Sequence, residues 1–424
     1  MSAVQVRKQS ALWQILSRDG RLLFATRAAR LFGYGFLSVI LVLYLTALGI
    51  SEAQVGLLLT LTLVGDTAIS LWLTTNADRI GRRRMLLVGA VLMILAGVLF
   101  SITRNYFLLV LAATIGVISP SGNEVGPFLS IEQAALAQLV PDQRRTGAFA
   151  WYNLYGSFAT AIGALVGGGL AQALMNGGLR PVAAYRDVVI GYAVVGVFLL
   201  ILFLNLSPAV EVKPALEPFQ DDEAAARPFL GLTRSRRVVF KLAGLFALDA
   251  FAGGFVIQSL VAYWFHVRFG VEPGRLGEIF FAANILAGIS ALSAAWVARK
   301  IGLVRTMVFT HLPSNILLIL VPFMPVLPLA ILLLLLRFTI SQMDVPTRQS
   351  YTMAVVTPEE RSAAAGVTGV ARTIGAALAP VFSGLFLGTS AFLGAPFVIS
   401  GALKIVYDIS LYRNFQGIKP PEEG

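Results

Sequence analysis

The sequence predicts an all-α integral membrane protein, with twelve transmembrane helices arranged as two pseudo-symmetric six-helix bundles. Hydrophobic residues make up 57% of its 424 residues and charged residues only 13%. The mean hydropathy is +0.78, and soluble globular proteins are far less apolar. A spanning helix needs about 20 apolar residues, so the chain has room for roughly twelve such helices and for no soluble catalytic domain.

A repeated sequence divides the chain into two halves. The run from Ala77 to Arg84 returns from Ala298 to Arg305, and the run from Pro141 to Arg144 returns from Pro358 to Arg361. The two offsets along the chain, 298 − 77 = 221 and 358 − 141 = 217, are nearly equal. Because two independent matches share nearly the same spacing, we predict an internal duplication.

Twelve long apolar segments follow one another along the chain, and each is long enough to cross the hydrocarbon layer. The predicted spans 1 to 12 cover residues 22–48, 54–76, 84–103, 107–138, 146–172, 186–207, 237–265, 274–298, 303–323, 327–354, 361–388 and 391–412.

Five regions follow from these spans. Between spans 6 and 7 the apolar pattern is interrupted by four prolines and the acidic run Asp221-Asp222-Glu223, which is typical of a hydrophilic linker. The regions are a cytoplasmic N-terminal segment (1–21), an N-terminal six-helix bundle (22–207), a cytoplasmic linker (208–236), a C-terminal six-helix bundle (237–412) and a cytoplasmic tail (413–424).

The distribution of basic residues predicts the topology. Lys and Arg cluster in the loops that lie inside when the N-terminus is cytoplasmic, so both termini are predicted to be cytoplasmic. We therefore attribute the net charge of +11 to topology and expect no nucleic-acid partner. The chain has no cysteine and only two histidines, which excludes disulfides and leads us to expect neither a metal site nor a cofactor.

The loop between spans 2 and 3 carries the most specific motif, Asp78-Arg79-Ile80-Gly81-Arg82-Arg83. Together with twelve spans, a central linker and the duplication, this motif resembles the major facilitator superfamily, and the resemblance covers the whole chain. It implies a secondary transporter that is built from two six-helix bundles and works by alternating access. The similarity extends, more weakly, to proton-coupled drug and metabolite efflux carriers.

In the resembled family this loop gates the cytoplasmic side, which implies a gating role for Asp78, Arg79, Gly81 and Arg82. We expect the Asp78 carboxylate to reach the N-terminus of span 11, near residues 358–362. A helix N-terminus favours a negative charge by roughly 0.3–1 kcal/mol. The alternative is that the arginines of the loop only enforce the topology.

Charged residues inside the predicted spans are the candidates for function. Each costs roughly 2.5–3.5 kcal/mol at a helix centre, so such residues are kept only where they are paired or face water. They include Asp66, Glu124, Glu132, Asp249, Arg337, Asp344, Arg348 and Arg372. Prolines and glycines around Glu124 in span 4, and Pro346 in span 10, predict a broken helix in each of these two corresponding spans.

Spacing arranges several of these residues on common faces. Arg337, Ser341, Asp344 and Arg348 follow at i, i+4, i+7 and i+11 along span 10, which places them in one stripe. In the resembled family, spans 1, 4, 7 and 10 line the central cavity. We therefore predict a substrate and proton pathway formed by Arg30, Tyr34, Glu124, Glu132, Asp249, Gln258, Arg337, Asp344 and Arg348.

An internal ion-pair network that only holds helices together remains an alternative, with the pairs Arg30–Glu132 and Asp344–Arg348 as its expected members. A separate pair is predicted between Asp66 and Arg372, since spans 2 and 11 meet between the two halves in the resembled fold. That pair either couples protonation to conformational change or is permanent and structural.

These features lead to one expected function and two alternatives. We expect proton-coupled export (antiport) of a small organic compound by a monomer in the cell membrane, with the small molecule, protons and the lipid bilayer as partners. One alternative is a carrier of organic anions centred on Arg30, Arg337 and Arg348. The other is a non-transporting scaffold or sensor. We do not expect an enzyme, because no span carries a nucleophile, base and acid together.

Overall fold

The computed structural model describes the chain in five stretches. They are residues 16–122, 128–211, 232, 234–357 and 360–417, and the side chains of residues 142–146 and 362 fall outside the description. Within these stretches the chain folds into sixteen α-helices. In order they are α1 (Arg18–Ser38), α2 (Leu41–Ala47), α3 (Glu52–Ile80), α4 (Arg82–Ile102), α5 (Tyr106–Ile115), α6 (Phe128–Leu139), α7 (Asp142–Asn176), α8 (Pro181–Leu204), α9 (Arg236–Gly254), α10 (Gln258–Phe269), α11 (Pro273–Ile301), α12 (Leu303–Leu320), α13 (Leu327–Ile340), α14 (Asp344–Ala354), α15 (Arg361–Leu387) and α16 (Ala395–Phe415).

The all-helical membrane architecture is confirmed. Ten helical segments of the described chain are long and apolar enough to cross a membrane, and the bent pair α1–α2 makes an eleventh if it counts as one span. The remaining predicted span, span 4, is shared by two short helices, the apolar α5 and α6. Residues 107–138 form no single continuous helix, as the prolines and glycines of this span predicted, because α5 ends at Ile115 and Gly116 has an extended backbone.

Four predicted spans are interrupted, and they occupy equivalent places in the sequence repeat: spans 1, 4, 7 and 10. The helix bends by 42° between α1 and α2, and it breaks between α5 and α6, between α9 and α10 and between α13 and α14. Pro346 explains the last break, since its ring clashes with the carbonyl of residue 342 and cannot bond to it. Gly253 and Gly254, poor helix formers, precede the break in span 7. The break predicted at Pro346 in span 10 is confirmed, whereas the continuous helix predicted for span 7 is wrong.

Contacts divide the chain into two compact units. Unit 1 comprises Met1–Gly49, Gly65–Pro214 and Glu272–Phe281, and unit 2 comprises Ile50–Val64, Ala215–Val271 and Ala282–Gly424. In unit 1, α1 packs mainly on α7 and α4 packs on α8; in unit 2, α9 packs on α15 and α12 packs on α16. These are the pairings of spans 1 with 5 and 3 with 6, and of spans 7 with 11 and 9 with 12. Each unit thus repeats the same helix pairing.

The repeated Ile-Gly pair of the two basic loops has a conformational cause. Gly81 precedes α4 with φ 117° and ψ 126°, and Gly302 precedes α12 with φ 87° and ψ 162°. Residues with a β-carbon rarely adopt such positive φ values. Glycine at this place lets the chain leave one long helix and begin the next within a single residue.

We predict that Gly302→Ala lowers the free energy of unfolding by about 1–3 kcal/mol, because alanine is strained in this backbone conformation. Thermal unfolding of the purified protein in detergent measures the effect. The control is Gly369→Ala, which lies in α15 with open space around the new β-carbon and should be neutral or stabilising. Equal loss of stability in the two variants would contradict the conformational explanation.

Candidate functional site

Unit 1 contains a buried ion pair between α1 and α6. The Nη2 atom of Arg30 donates to Oε2 of Glu132 at 2.9 Å, and its Nη1 atom lies 2.8 Å from Oε1, with both side chains fully buried. Such a two-pronged guanidinium–carboxylate contact is among the stronger charged interactions in proteins. It ties span 1 to the part of span 4 that follows the interruption.

Neutral and aromatic side chains complete the surroundings of this pair. Thr26 donates to Oε1 of Glu132 at 2.8 Å, and the Tyr152 hydroxyl of α7 donates to Oε2. The Arg30 guanidinium also stands 4.7 Å from the centre of the Phe128 ring, within the range of a cation–π contact. The Glu132 charge is therefore fully engaged by donors from two other helices.

Unit 2 contains a larger buried cluster around Asp249 of α9. Its Oδ1 atom lies 2.6 Å from Lys404 Nζ and 3.9 Å from His311 Nε2. Its Oδ2 atom lies 3.2 Å from Arg348 Nη1 and 3.9 Å from Arg372 Nη1. Four helices, α12, α14, α15 and α16, thus direct cationic or ionisable side chains at a single carboxylate.

Arg348 is shared between two carboxylates in this cluster. Its Nη1 atom lies 2.8 Å from Asp344 Oδ2 as well as 3.2 Å from Asp249 Oδ2. Asp344 is the first residue of α14, where a helix N-terminus favours its negative charge. Asp344 and Arg348 share a face of α14, but the single stripe predicted to include Arg337 is interrupted, because Arg337 lies in α13 before the break.

Three residues of unit 2 were missed by the sequence analysis: Lys404, His311 and Asp408. His311 Nδ1 lies 2.8 Å from Asp408 Oδ1, and Asn315 Nδ2 donates to Asp408 Oδ2 at 2.9 Å. These residues lie on spans 9 and 12, whereas the predicted site residues lie on spans 1, 2, 4, 7, 10 and 11. Lys404 and Asp408 are two charged residues one turn apart within span 12, and this pattern could have indicated a buried polar site there.

The two units contain the same ion pair with the signs exchanged. The difference in sequence position is 249 − 30 = 219 between Arg30 and Asp249 and 348 − 132 = 216 between Glu132 and Arg348, close to the offsets of the sequence repeat. The basic member stands on the first span of unit 1 and the acidic member on the first span of unit 2. The repeat therefore preserves the contact between the first and fourth spans while inverting its polarity.

Unit 2 combines cationic and anionic groups in its interior. Arg348 and Lys404 each contact a carboxylate, but Arg337 Nε and Arg372 Nη1 are buried without a hydrogen-bond partner among the described residues. Arg337 is also within electrostatic reach of Asp249 and Asp344. Two guanidinium groups thus have buried, unused donors near these carboxylates.

The other predicted pathway residues have separate surroundings. Tyr34 is fully buried in α1, and Gln258, the first residue of α10, accepts a hydrogen bond from Asn284 at 3.1 Å. Glu124 lies outside the described residues. Asp66 is buried and accepts from Ser70 at 3.5 Å, and its pairing with Arg372 stays a prediction.

The loop motif is held by the start of the predicted linker. Asp78 pairs with Arg82 at 2.8 Å and is mostly exposed. The Glu211 carboxylate accepts the backbone N–H groups of Arg82 at 2.7 Å and Arg83 at 3.2 Å, which caps α4. Gln138 of α6 accepts from Arg82 and donates to the Glu211 carbonyl. Residues 208–211 are therefore structured, and contact of Asp78 with span 11 stays a prediction.

Comparisons with known proteins agree with this architecture. Residues 23–380 match the family model of the Major Facilitator Superfamily. The chain is 33% identical to the uncharacterized membrane protein YJR124C of Saccharomyces cerevisiae over 95% of both chains. It is 27% identical to the multidrug resistance protein MdtG of Serratia proteamaculans over 70% of this chain and 68% of the relative.

Among solved structures, the fold is similar to a bacterial homolog of the human lysosomal transporter Spinster in an inward-facing and occupied conformation. The TM-score is 0.72, with 94% of this chain and 97% of that chain covered and 14% sequence identity. At this identity the likeness concerns the fold alone.

We predict that Glu132→Gln lowers the free energy of unfolding by about 3–5 kcal/mol, because it leaves the Arg30 charge buried without its partner. The double variant Arg30→Met with Glu132→Leu should recover most of that loss, since it removes both charges. Thermal unfolding in detergent measures all variants.

The control is Glu278→Gln, which removes the exposed Arg275–Glu278 pair and should change stability by less than about 1 kcal/mol. Equal melting temperatures for Glu132→Gln and Glu278→Gln would contradict a stabilising role for the buried pair.

Proposed function

The chain belongs to the major facilitator superfamily, and we propose that it exports a small organic compound from the cytoplasm in exchange for protons. The observation that carries this proposal is the location of the buried charges on the interrupted spans. Arg30, Glu132, Asp249, Asp344 and Arg348 all stand on spans 1, 4, 7 or 10. Interrupted backbone inside a membrane is tolerated where protein or water satisfies its polar groups, and intramembrane charges mark functional pathways.

Arg348 provides a mechanism for coupling to protons. While Asp344 is charged, Arg348 is shared between Asp344 and Asp249. When Asp344 takes up a proton, its attraction for Arg348 weakens, and the guanidinium is left with Asp249, which Lys404 already contacts. Such a change in pairing between α9, α14 and α16 shifts the relative stability of two conformations.

The remaining candidates have supporting roles in this proposal. Glu124, which precedes Glu132 on span 4, is a second proton acceptor. A pair between Asp66 and Arg372 links protonation to the conformational change, and the loop motif with Asp78 and Arg82 acts as the cytoplasmic gate. We place the protein in the plasma membrane as a monomer.

Export is supported by similarity rather than by geometry. The relative MdtG is named a multidrug resistance protein, and removal of compounds from the cytoplasm would provide such resistance. The transported compound of this chain is therefore proposed to be a small organic molecule that reaches the cytoplasm.

We predict that Asp344→Asn abolishes substrate-driven proton movement, because the side chain can no longer exchange a proton. The measurement uses purified protein in liposomes that contain a pH-sensitive dye, with lipophilic cations, organic acids and sugars added singly. Glu278→Gln, which changes an exposed carboxylate in α11, should keep wild-type flux. Wild-type coupling in Asp344→Asn would contradict the role of this carboxylate.

A carrier of organic anions is the second candidate, and the unused donors of Arg337 and Arg372 favour it. Arg30 and Arg348 already have carboxylate partners. We therefore propose Arg337 and Arg372 as the residues that would bind the anion. A planar guanidinium binds carboxylate or phosphate with two parallel hydrogen bonds, which gives both affinity and orientation.

We predict that Arg337→Gln weakens the binding of organic anions by about tenfold or more, since it removes a charged hydrogen bond of about 1.5–3 kcal/mol. Competition against a labelled organic anion measures the loss in detergent. Arg275→Gln, an exposed change in α11, is the control. Absence of anion competition in the wild-type protein would exclude this candidate and leave proton-coupled export in place.

A further inference from the structure

A second group of buried ionisable residues lies on two uninterrupted helices, α12 and α16. His311 of α12 is 3% exposed, and Asp408 of α16 and Asn315 of α12 are fully buried. None of the site residues predicted from the sequence lies on either helix. A histidine and a carboxylate in contact inside a membrane are costly, and such groups are kept where they exchange protons or bind a partner.

The His311 ring lies between two carboxylates. Its Nδ1 atom is 2.8 Å from Asp408 Oδ1, and its Nε2 atom is 3.9 Å from Asp249 Oδ1. A neutral imidazole has one N–H and one lone pair, so one of its nitrogens then presents a lone pair to a carboxylate. A doubly protonated ring directs an N–H toward both. The geometry therefore provides a place for one additional proton.

Among the described residues, the His311 ring is the only ionisable side chain that hydrogen-bonds to Asp408. In the described residues its direct contacts are His311 and the neutral amide of Asn315. Asp249, by contrast, has Lys404, Arg348 and Arg372 around it. A buried carboxylate without a cationic partner is strongly unfavourable, so the pair His311–Asp408 gains from holding a proton.

The elements packed against α12 and α16 contribute charged and titratable groups that lie near this pair or near its neighbour Asp249. The charged and titratable neighbours are Lys404 and Tyr407 from α16, Asp249 from α9, Arg337 from α13, Asp344 and Arg348 from α14, and Arg372 from α15. The cations oppose uptake of a proton and the carboxylates favour it. The two carboxylates that lie nearest the ring nitrogens are Asp408 and Asp249.

We propose that His311 and Asp408 together form a proton-binding site. Asp249 couples this site electrostatically to the ion pairs that it forms with Arg348 and Lys404. This inference rests on the proposed proton-coupled function and assigns the proton a location outside the interrupted spans. When the pair holds the proton, the imidazolium attracts Asp249 of α9. When the proton leaves, the attraction is lost, and Asp249 depends on its cationic neighbours, Lys404 and Arg348 above all. Proton occupancy on α12 and α16 thereby changes the ion pairs between α9 and α14.

The two histidines of the chain allow a direct test. His266 lies at the end of α10 and bonds to the Val271 carbonyl, so His266→Gln leaves His311 as the single histidine. Nitrogen-15 labelling of histidine then reports the protonation of this one ring by NMR in lipid nanodiscs. The measurement needs neither substrate nor transport.

We expect the ring to change from doubly to singly protonated once between about pH 5 and pH 9. In the same background, Asp408→Asn should move that change to lower pH by about one to three pH units, because the nearest negative charge is gone. Asp187→Asn in α8 of unit 1 is the matched control and should leave the change in place.

A ring that keeps one protonation state across this pH range would overturn the proposal, and so would a change that Asp408→Asn leaves unmoved. If Asp408→Asn fails to fold, the titration of the His266→Gln protein still decides whether the His311 ring changes its protonation state. In liposomes, His311→Gln should reduce substrate-driven proton movement at least tenfold. A titrating ring in a protein without proton-coupled transport would retain the proton site and reject the proposed function.

Discussion

The cost of placing a charge in hydrocarbon governs the interior of both units. A lone charge is strongly unfavourable there, whereas a charge with a partner and hydrogen bonds is tolerated. In unit 1 this requirement joins Arg30 to Glu132, and in unit 2 it joins Asp249 to Arg348, Lys404 and Arg372. The packing of the first span against the fourth is thereby specified by electrostatics as well as by shape.

The interruptions and the charges are parts of one arrangement. A broken helix exposes backbone N–H and C=O groups that lipid cannot satisfy. Asp344 begins the helix that follows one of these breaks, and the helix that bears Glu132 follows another. Interrupted backbone and buried charges therefore occur together in these four spans, whereas the buried polar residues of spans 9 and 12 lie on uninterrupted helices.

Much of the architecture could be predicted because it depends on composition and repetition. Apolar segments of sufficient length must become spans, and the pair Ile80-Gly81 recurs as Ile301-Gly302 because the same turn is needed twice. The interruptions could be predicted where proline marks them, as Pro346 does in span 10, because proline cannot donate a backbone hydrogen bond. The break in span 7 follows two glycines without a proline, and hydropathy does not register it.

The candidate site could be predicted only in part, for a similar reason. The pairs Arg30–Glu132 and Asp344–Arg348 could be predicted because their members are charged residues on spans that line the central cavity in the resembled family. Lys404, His311 and Asp408 depend on a contact between α12 and α16 that no local pattern reveals. The pairing of carboxylates with cations depends on three-dimensional packing. The four ionisable neighbours described for Asp249 all lie on helices that come much later in the chain.

The sequence separation of the paired charges has a consequence for biogenesis. Arg30 and Glu132 are 102 residues apart, and Asp249 and Arg348 are 99 apart. During synthesis the first span of each half therefore emerges well before its counter-charge exists. An insertion order that leaves this span alone in the lipid core would strand an unpaired charge. The first four spans of each half are thus expected to leave the insertion machinery as a group, after the fourth span has been made.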